Sequence, residues 1–388
     1  MAMDSHAAAE LLKSWALAAG FDRVGVATLE PAATGDAFLR WLERGDQAGM
    51  GYLARRIEAR LEPATILPGA RSVLCVALQY HPLTEEEPGG DLWPRVARYA
   101  RGRDYHDVMG ERLKALAARI AAAFPGAESR PYVDTGPVLE RELAARAGLG
   151  VPGKNTNLLH PEAGSWFLLG ELFLTLDLAP DIPLADLCGS CTRCLEACPT
   201  GALPAPYQLD SNRCISYWTI EHRGPLPPEA REQVGTWVFG CDICQEVCPW
   251  NTAPAEASHP EMELPERRAA LDLVGLLRLD RDEYVERFRG SPMKRPKLEG
   301  LQRNAAVAMG NRRNPRYVPA LAAALATGEP LVRAHAAWAL GRIGGAAARA
   351  ALEAAKAIET DAEVRAEILA ALETPAADVA RSEQSLVS

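Results

Sequence analysis

The chain is 388 residues long, 48% hydrophobic and 24% charged, with a formal net charge of −9. That length allows two or three domains with buried cores, and the acidity excludes a protein coated in basic residues. Its nine cysteines exclude a disulfide scaffold, because eight crowd between residues 188 and 248, a pattern of metal ligation.

The first residues, MAMDSHAAAELLKSWALAAG, lack the basic-then-apolar order of a secretory signal and hold no twin-arginine pair. Helix-period segments at 5–19, 106–123 and 137–147 then alternate with apolar strand-like runs at 23–27, 72–79, 131–134 and 166–177. Cys75 lies in one such run, RSVLCVALQY, and reads as a buried structural thiol. In RPYVDTGPVLER, Asp134 ends a short strand just before a helix, with Pro137 in the helix's first turn and Gly148 past its end. Two readings stand for it. Ligands in α/β folds bind beyond the carboxyl ends of strands, where a carboxyl group can supply a proton. The plainer reading is a helix cap by Asp134 or Thr135. GLGVPGKNTNL is the richest glycine segment, but matches neither a dinucleotide fingerprint nor a Walker loop. The most apolar run, WFLLGELFLTLDL, is interrupted by Glu171 and Asp177 and is too short to span a bilayer. The expectation is a cytoplasmic protein without membrane contact.

Next comes CGSCTRCLEACPTGAL, whose spacing Cys188-x2-Cys191-x2-Cys194-x3-Cys198-Pro is that of a bacterial iron–sulfur run. In such runs the first three cysteines hold one [4Fe–4S] cluster and the fourth reaches the other. The second run, CDICQEVCP, is one cysteine short, and Cys214 in DSNRCISYW is the nearby candidate. Cluster one is therefore assigned Cys188, Cys191, Cys194 and Cys248. Cluster two takes Cys198, Cys214, Cys241 and Cys244. Zinc sites would also need four thiolates each, but usually present them as CxxC pairs separated by long loops. A ferredoxin needs only roughly 60–80 residues, so the flanking chain argues for chemistry fed by the clusters. A bare electron-transfer subunit, docking through its C-terminal part, is the alternative.

Residues 287–345 hold eleven Lys or Arg and two Glu, a local +9 on a chain that otherwise sums to −18. Within and beyond them, RNAAVAMGN from Arg303, RAHAAWALGRIGG from Arg333 and RAEILAALE from Arg365 recur at offsets of 30 and 32 residues. Such periods mark stacked helical repeats.

The ordered set ARYARGRDYHDV, PYVDTGPVLERELAARAGLG, GKNTNLL, GSWFLLGELF, the two cysteine runs, RCISYWTIE and QRNAAVAMGN resembles epoxyqueuosine reductase, over about residues 20–345. The resemblance implies a mixed α+β/α/β chain. An N-terminal α/β cobalamin-binding domain would span 1–180, and a ferredoxin-like double [4Fe–4S] module 181–255. A helical connector at 256–301, HEAT-like α-helical repeats at 302–374 and a polar tail at 375–388 would follow. It implies reduction of epoxyqueuosine to queuosine at the tRNA wobble position, through base-off cobalamin reduced by the clusters, with Asp134 as proton donor, kept protonated by burial near the corrin. Carried over by position, the cofactor contacts are Arg60, Ala97, Asp134, Gly153, Lys154, Asn155, Leu158, Leu169, Ser216, Cys241 and Asp242. The basic stretch would grip the anticodon stem-loop through Lys294, Arg295, Lys297, Arg303, Arg312, Arg313 and Arg333. Electrons would come from an external ferredoxin or flavodoxin. Reductive dehalogenases share the cofactors, but usually carry a twin-arginine leader and lack such repeats.

Overall fold

The computed structural model describes residues 3–80, 93–252, 259–265, 268 and 272–373. The tail at 375–388 and parts of the connector lie outside them. The strands are β1 (Arg23–Ala27), β2 (Ser72–Gln79), β3 (Arg95–Val96), β4 (Ser129–Tyr132), β5 (Val151–Pro152), β6 (Leu158–Leu159), β7 (Phe167–Leu174) and β8 (Trp237–Phe239). A four-stranded sheet of order β1-β2-β7-β4 organises the N-terminal domain, and every pairing in it is antiparallel. The domain is thus α+β, and the carboxyl-end rule for parallel sheets does not govern its site.

The expected strands form because both faces of the sheet are covered. β2 is buried at all eight positions. Leu74, Val76 and Leu78 point to one core, shared with the helices Ser5–Ala18 and Tyr105–Ala123. Val73, Cys75 and Ala77 point to the other, with Phe173 of β7 and Leu143 and Ala144 of the helix Glu140–Arg146. Alternate residues of one strand therefore feed two cores, which explains apolar runs without the polar alternation of a half-exposed sheet. Glu171 of β7 is the exception, at 0% exposure in the sheet centre.

The C-terminal repeats stack as expected. The helix Lys297–Arg312 packs on Pro330–Ile343, which packs on Ala362–Glu373, with Val318–Thr327 and Gly345–Ile358 on the outer layer. Glycine permits the closest approaches: a Cβ at Gly310 would lie 2.6 Å from the Trp338 ring, and one at Gly341 2.8 Å from Ala371. The same core takes in Val96 and Ala100, together with Val238 and Phe239 of β8, so the repeats are joined to the cysteine-bearing segment. No helix among the described residues is long and apolar enough to cross a membrane.

Candidate functional site

The cysteines fall into two groups. Cys194 lies in the short helix Arg193–Ala197, Cys244 in Ile243–Glu246, and Cys214 caps Ile215–Ile220. The first two of these helices pack on each other, interleaving the two sequence runs. Burial pushes the Cys194 thiol up, and Cys188 and Cys248 push it further; Cys248 in turn feels Cys188 and Cys191. Burial likewise raises Cys214, beside Cys198, and lifts Cys241 to about 12, with Cys214 and Cys198 adding to it. Cys244 is raised by burial, then by Cys241 and Cys214, and more weakly by Cys194 of the other group. The partition is Cys188, Cys191, Cys194 and Cys248 against Cys198, Cys214, Cys241 and Cys244, with the two groups adjoining.

So many mutually repelling sulfurs favour a cationic guest that accepts thiolates. A single zinc ion draws thiolates to about 2.3 Å. A cubane instead spreads its four thiolates over four irons. Backbone donors already face the sulfurs: Lys154 N lies 3.4 Å from Cys188 Sγ and Ala202 N 3.3 Å from Cys198 Sγ. Such N–H···S contacts help set cluster potentials.

Asp134 stands at the turn after β4 with φ +56°, in the left-handed region. It does not cap the helix that follows, whose N-cap is Leu139. Its N–H donates to Glu140 Oε1 at 2.5 Å, and its carboxylate Oδ2 lies 3.2 Å from His106 Nε2. The other ring nitrogen of His106 lies 2.7 Å from Asp104 Oδ1, and Lys294 Nζ pairs with Asp104 Oδ2 at 2.8 Å. A chain Lys294–Asp104–His106–Asp134 therefore runs into the site. Burial alone would lower His106, but its hydrogen bonds to Asp104 and Asp134, and their charges, lift it to about 9. Desolvation pushes Asp134 up, yet the His106 hydrogen bond and charge outweigh it and hold the carboxyl below its usual range. The expected protonated Asp134 is thus replaced, before any cofactor enters, by a carboxylate beside an imidazolium. The proton resides in the pair. Arg295 also bears on Asp134 while its guanidinium holds both oxygens of Glu221 and stacks 5.6 Å over Tyr52.

The expected cofactor residues divide. Ala97 N bonds to Phe239 O at 2.8 Å, and Asp242 accepts from Arg98 N at 2.8 Å, so Ala97 and Asp242 meet beside Cys241. Burial raises Asp242 to about 6. Tyr99 feels the charges of both Asp134 and Asp242, which places it between the Asp134 turn and the second cysteine run. Arg60 is buried with its Nε unpartnered among the described residues. Leu158 is buried and Leu169 half-buried, both at the second core, and Gly153 has no room for a Cβ against Leu159 and Asn155. Ser216 is half-buried, two residues after Cys214. The Lys154 ammonium donates to Gly189 O and Cys191 O, at 2.7 and 2.9 Å, and so braces the loop between Cys188 and Cys191. Asn155 likewise donates to Cys244 O.

The basic set needs correction. Arg303 is 0% exposed and holds Trp218 O, His222 O and Gly224 O. It cannot meet a phosphate; it fastens the first repeat helix to the cysteine segment. Arg333 is held by Glu359 through Nε and Nη2, both at 2.9 Å. Arg312 is half-buried with Nη2 on Trp93 O. Lys294, Arg295, Lys297 and Arg313 are exposed.

Sequence reasoning passed over Asp104, His106, Glu140 and Glu171. The signals were the acid–histidine pair inside GRDYHDV and a glutamate within the apolar GSWFLLGELF.

Residues 60–135 match the family model described as epoxyqueuosine reductase QueG, DUF1730. Residues 187–251 match a 4Fe-4S double cluster binding domain, and 298–373 match HEAT repeats. The chain is similar to the epoxyqueuosine reductase of Alicycliphilus denitrificans, 40% identical over 346 residues that cover 85% of this chain and 96% of that protein. Among solved structures it is similar to an epoxyqueuosine reductase from Bacillus subtilis whose catalytic loop is swung out of the active site, with TM-score 0.88, 34% identity and coverage of 94% and 98%. It is also similar to an epoxyqueuosine reductase with a tRNA-Tyr epoxyqueuosine-modified stem loop, with TM-score 0.86, 35% identity and the same coverage, 94% and 98%.

Proposed function

The chain belongs to the epoxyqueuosine reductase family, and from that premise we propose that it reduces epoxyqueuosine to queuosine in tRNA with Asp134 and His106 as its proton source. The conversion of an epoxide to an alkene takes two electrons and two protons and releases the oxygen as water. Bound cobalamin, reduced through the two [4Fe–4S] clusters, supplies the electrons at the reacting carbon. The residues present fit that cofactor. Arg60 offers an unmatched buried donor, Leu158 and Leu169 an apolar wall, and Ala97 with Asp242 a junction to cluster two.

The observation that carries the proton assignment is the Asp104–His106–Asp134 chain. Asp134 presents its carboxyl to solvent at 58% side-chain exposure, where a splayed-out base can reach it. His106, held charged by Asp104, keeps one proton in the pair, and Asp134 passes it to the departing oxygen, while solvent supplies the second proton that completes the water. Lys294, Arg295, Lys297 and Arg313 are the exposed cations that suit the phosphates of an anticodon stem-loop. Lys294 and Arg295 flank the Asp134 chain itself. We place the activity in the cytoplasm, where tRNA is modified, with a small ferredoxin or flavodoxin as electron donor.

The test is Asp134→Asn. It should retain iron, sulfide and cobalamin but lose turnover on epoxyqueuosine-containing tRNA, read by mass spectrometry of tRNA nucleosides. Full turnover in that variant would remove Asp134 as donor.

A further inference from the structure

Glu171 sits at the centre of β7, opposite Cys75 of β2 and Tyr132 of β4 in the sheet register. It is 0% exposed, and among the described residues no N–H or O–H donor reaches either carboxylate oxygen. A carboxylate buried without donors is strongly disfavoured. Its polar neighbour is Glu140, at the start of the helix Glu140–Arg146, which packs directly on β7, and the two carboxyl groups bond each other. Two carboxylates cannot form that bond; it needs a hydrogen, and only a carboxylic acid can provide one here. Glu140 Oε1 at the same time accepts the N–H of Asp134, the residue held at φ +56°.

We propose that Glu140 and Glu171 share one proton, and that through this pair Glu140 pins the Asp134 turn in its reactive position. Glu140 is then a positioning residue and Glu171 its buried support. The inference rests on Asp134 being the proton donor.

The groups that bear on the pair come from every neighbouring element. They are Asp134 on the β4 turn, Arg141 on the same helix, Arg60 and Tyr105 on the facing helices, and Cys75 on β2. Cys75 is a neutral thiol, raised by burial and then by Glu171 and Glu140. Burial first, then the Asp134 charge, pushes Glu140 up to about 7. Burial and Glu140 raise Glu171 well above the usual carboxyl range, so the pair keeps its shared proton through neutral pH; once that proton leaves on the alkaline side, the two carboxylates repel, and Glu140, the less buried partner, withdraws from Asp134 N. In the reaction the pair gives no proton away; it changes only where Asp134 stands.

The experiment measures kcat and KM against pH on an epoxyqueuosine-modified stem-loop, with the cluster- and cobalamin-loaded protein. The unmutated enzyme should hold its kcat across neutral pH and step down to a lower plateau on the alkaline side, before its final loss. In Glu171→Gln an amide N–H replaces the shared proton, so that step should vanish while the later loss remains. Glu171→Leu should lower kcat about tenfold at neutral pH, with KM within about threefold, as expected of a misplaced donor. If Glu171→Leu does not fold, the Gln variant and infrared spectroscopy suffice. The unmutated protein should show a carboxylic-acid band at neutral pH that weakens in Glu171→Gln. A kcat–pH profile of Glu171→Gln that superimposes on the unmutated one, or an unaltered infrared band, overturns the proposal. An active Asp134→Asn would instead overturn the reading it stands on.

Discussion

Replacing His106 by glutamine removes the imidazolium that bridges Asp104 and Asp134, at 2.7 and 3.2 Å. Raising His106 from 6.5 to about 9 corresponds to roughly 3 kcal/mol of preference for its charged form. The side chain is 32% exposed, and screening by water brings that to about 1–2 kcal/mol. The sign follows from the direction of the shift. A histidine raised on folding contributes stability fully present below pH 6.5 and lost as pH rises through about 9. The same proton is the one delivered to the substrate, so kcat/KM on a modified stem-loop should hold across neutral pH and fall near pH 9. The pair titrates as a unit, and without His106 the proton must reside on Asp134 alone, whose carboxyl is no longer held down. In His106→Gln the alkaline fall should therefore move to the acid side of neutrality, and activity at about pH 7.5 should drop at least tenfold. Single-turnover rates over that pH range measure it directly. An alkaline limb still near pH 9 in the variant would refute the reasoning.

Cys214→Ala should lose or degrade one cluster and leave the other, read as iron and sulfide content, and iron equal to the unmutated chain would refute its ligand role. Arg303→Leu leaves the carbonyls of Trp218, His222 and Gly224 without their donor, a loss of at least ~3 kcal/mol, seen as a lower thermal midpoint rather than a changed salt slope of tRNA binding. Lys297→Ala with Arg313→Ala should do the reverse: weaken stem-loop binding, flatten its dependence on salt by about one contact each, and leave cofactor content and thermal midpoint alone.

The cysteine runs were legible in the sequence because cluster ligation is largely local: x2 and x3 gaps place sulfurs around one corner whatever surrounds them. The strands and the repeat helices were legible for a similar reason, since apolar runs and a 30-residue recurrence reflect burial along the chain. What the sequence left open was direction. Arg303 and Arg313 lie ten residues apart in one basic stretch, yet the first is sealed under three carbonyls and the second is exposed. Only the packing of one helix on the cysteine segment separates them. Likewise Asp104, His106, Asp134, Glu140 and Glu171 span 68 residues and share no motif. They meet because an antiparallel sheet brings β4 beside β7, while the helix capped by Asp104 covers one face and Glu140–Arg146 the other. Local spacing by itself marked the segment that matches a double cluster binding domain. The tertiary structure alone decided which side chains stand close enough to share a proton, because hydrogen bonds and charge coupling depend on distance through space, not along the chain.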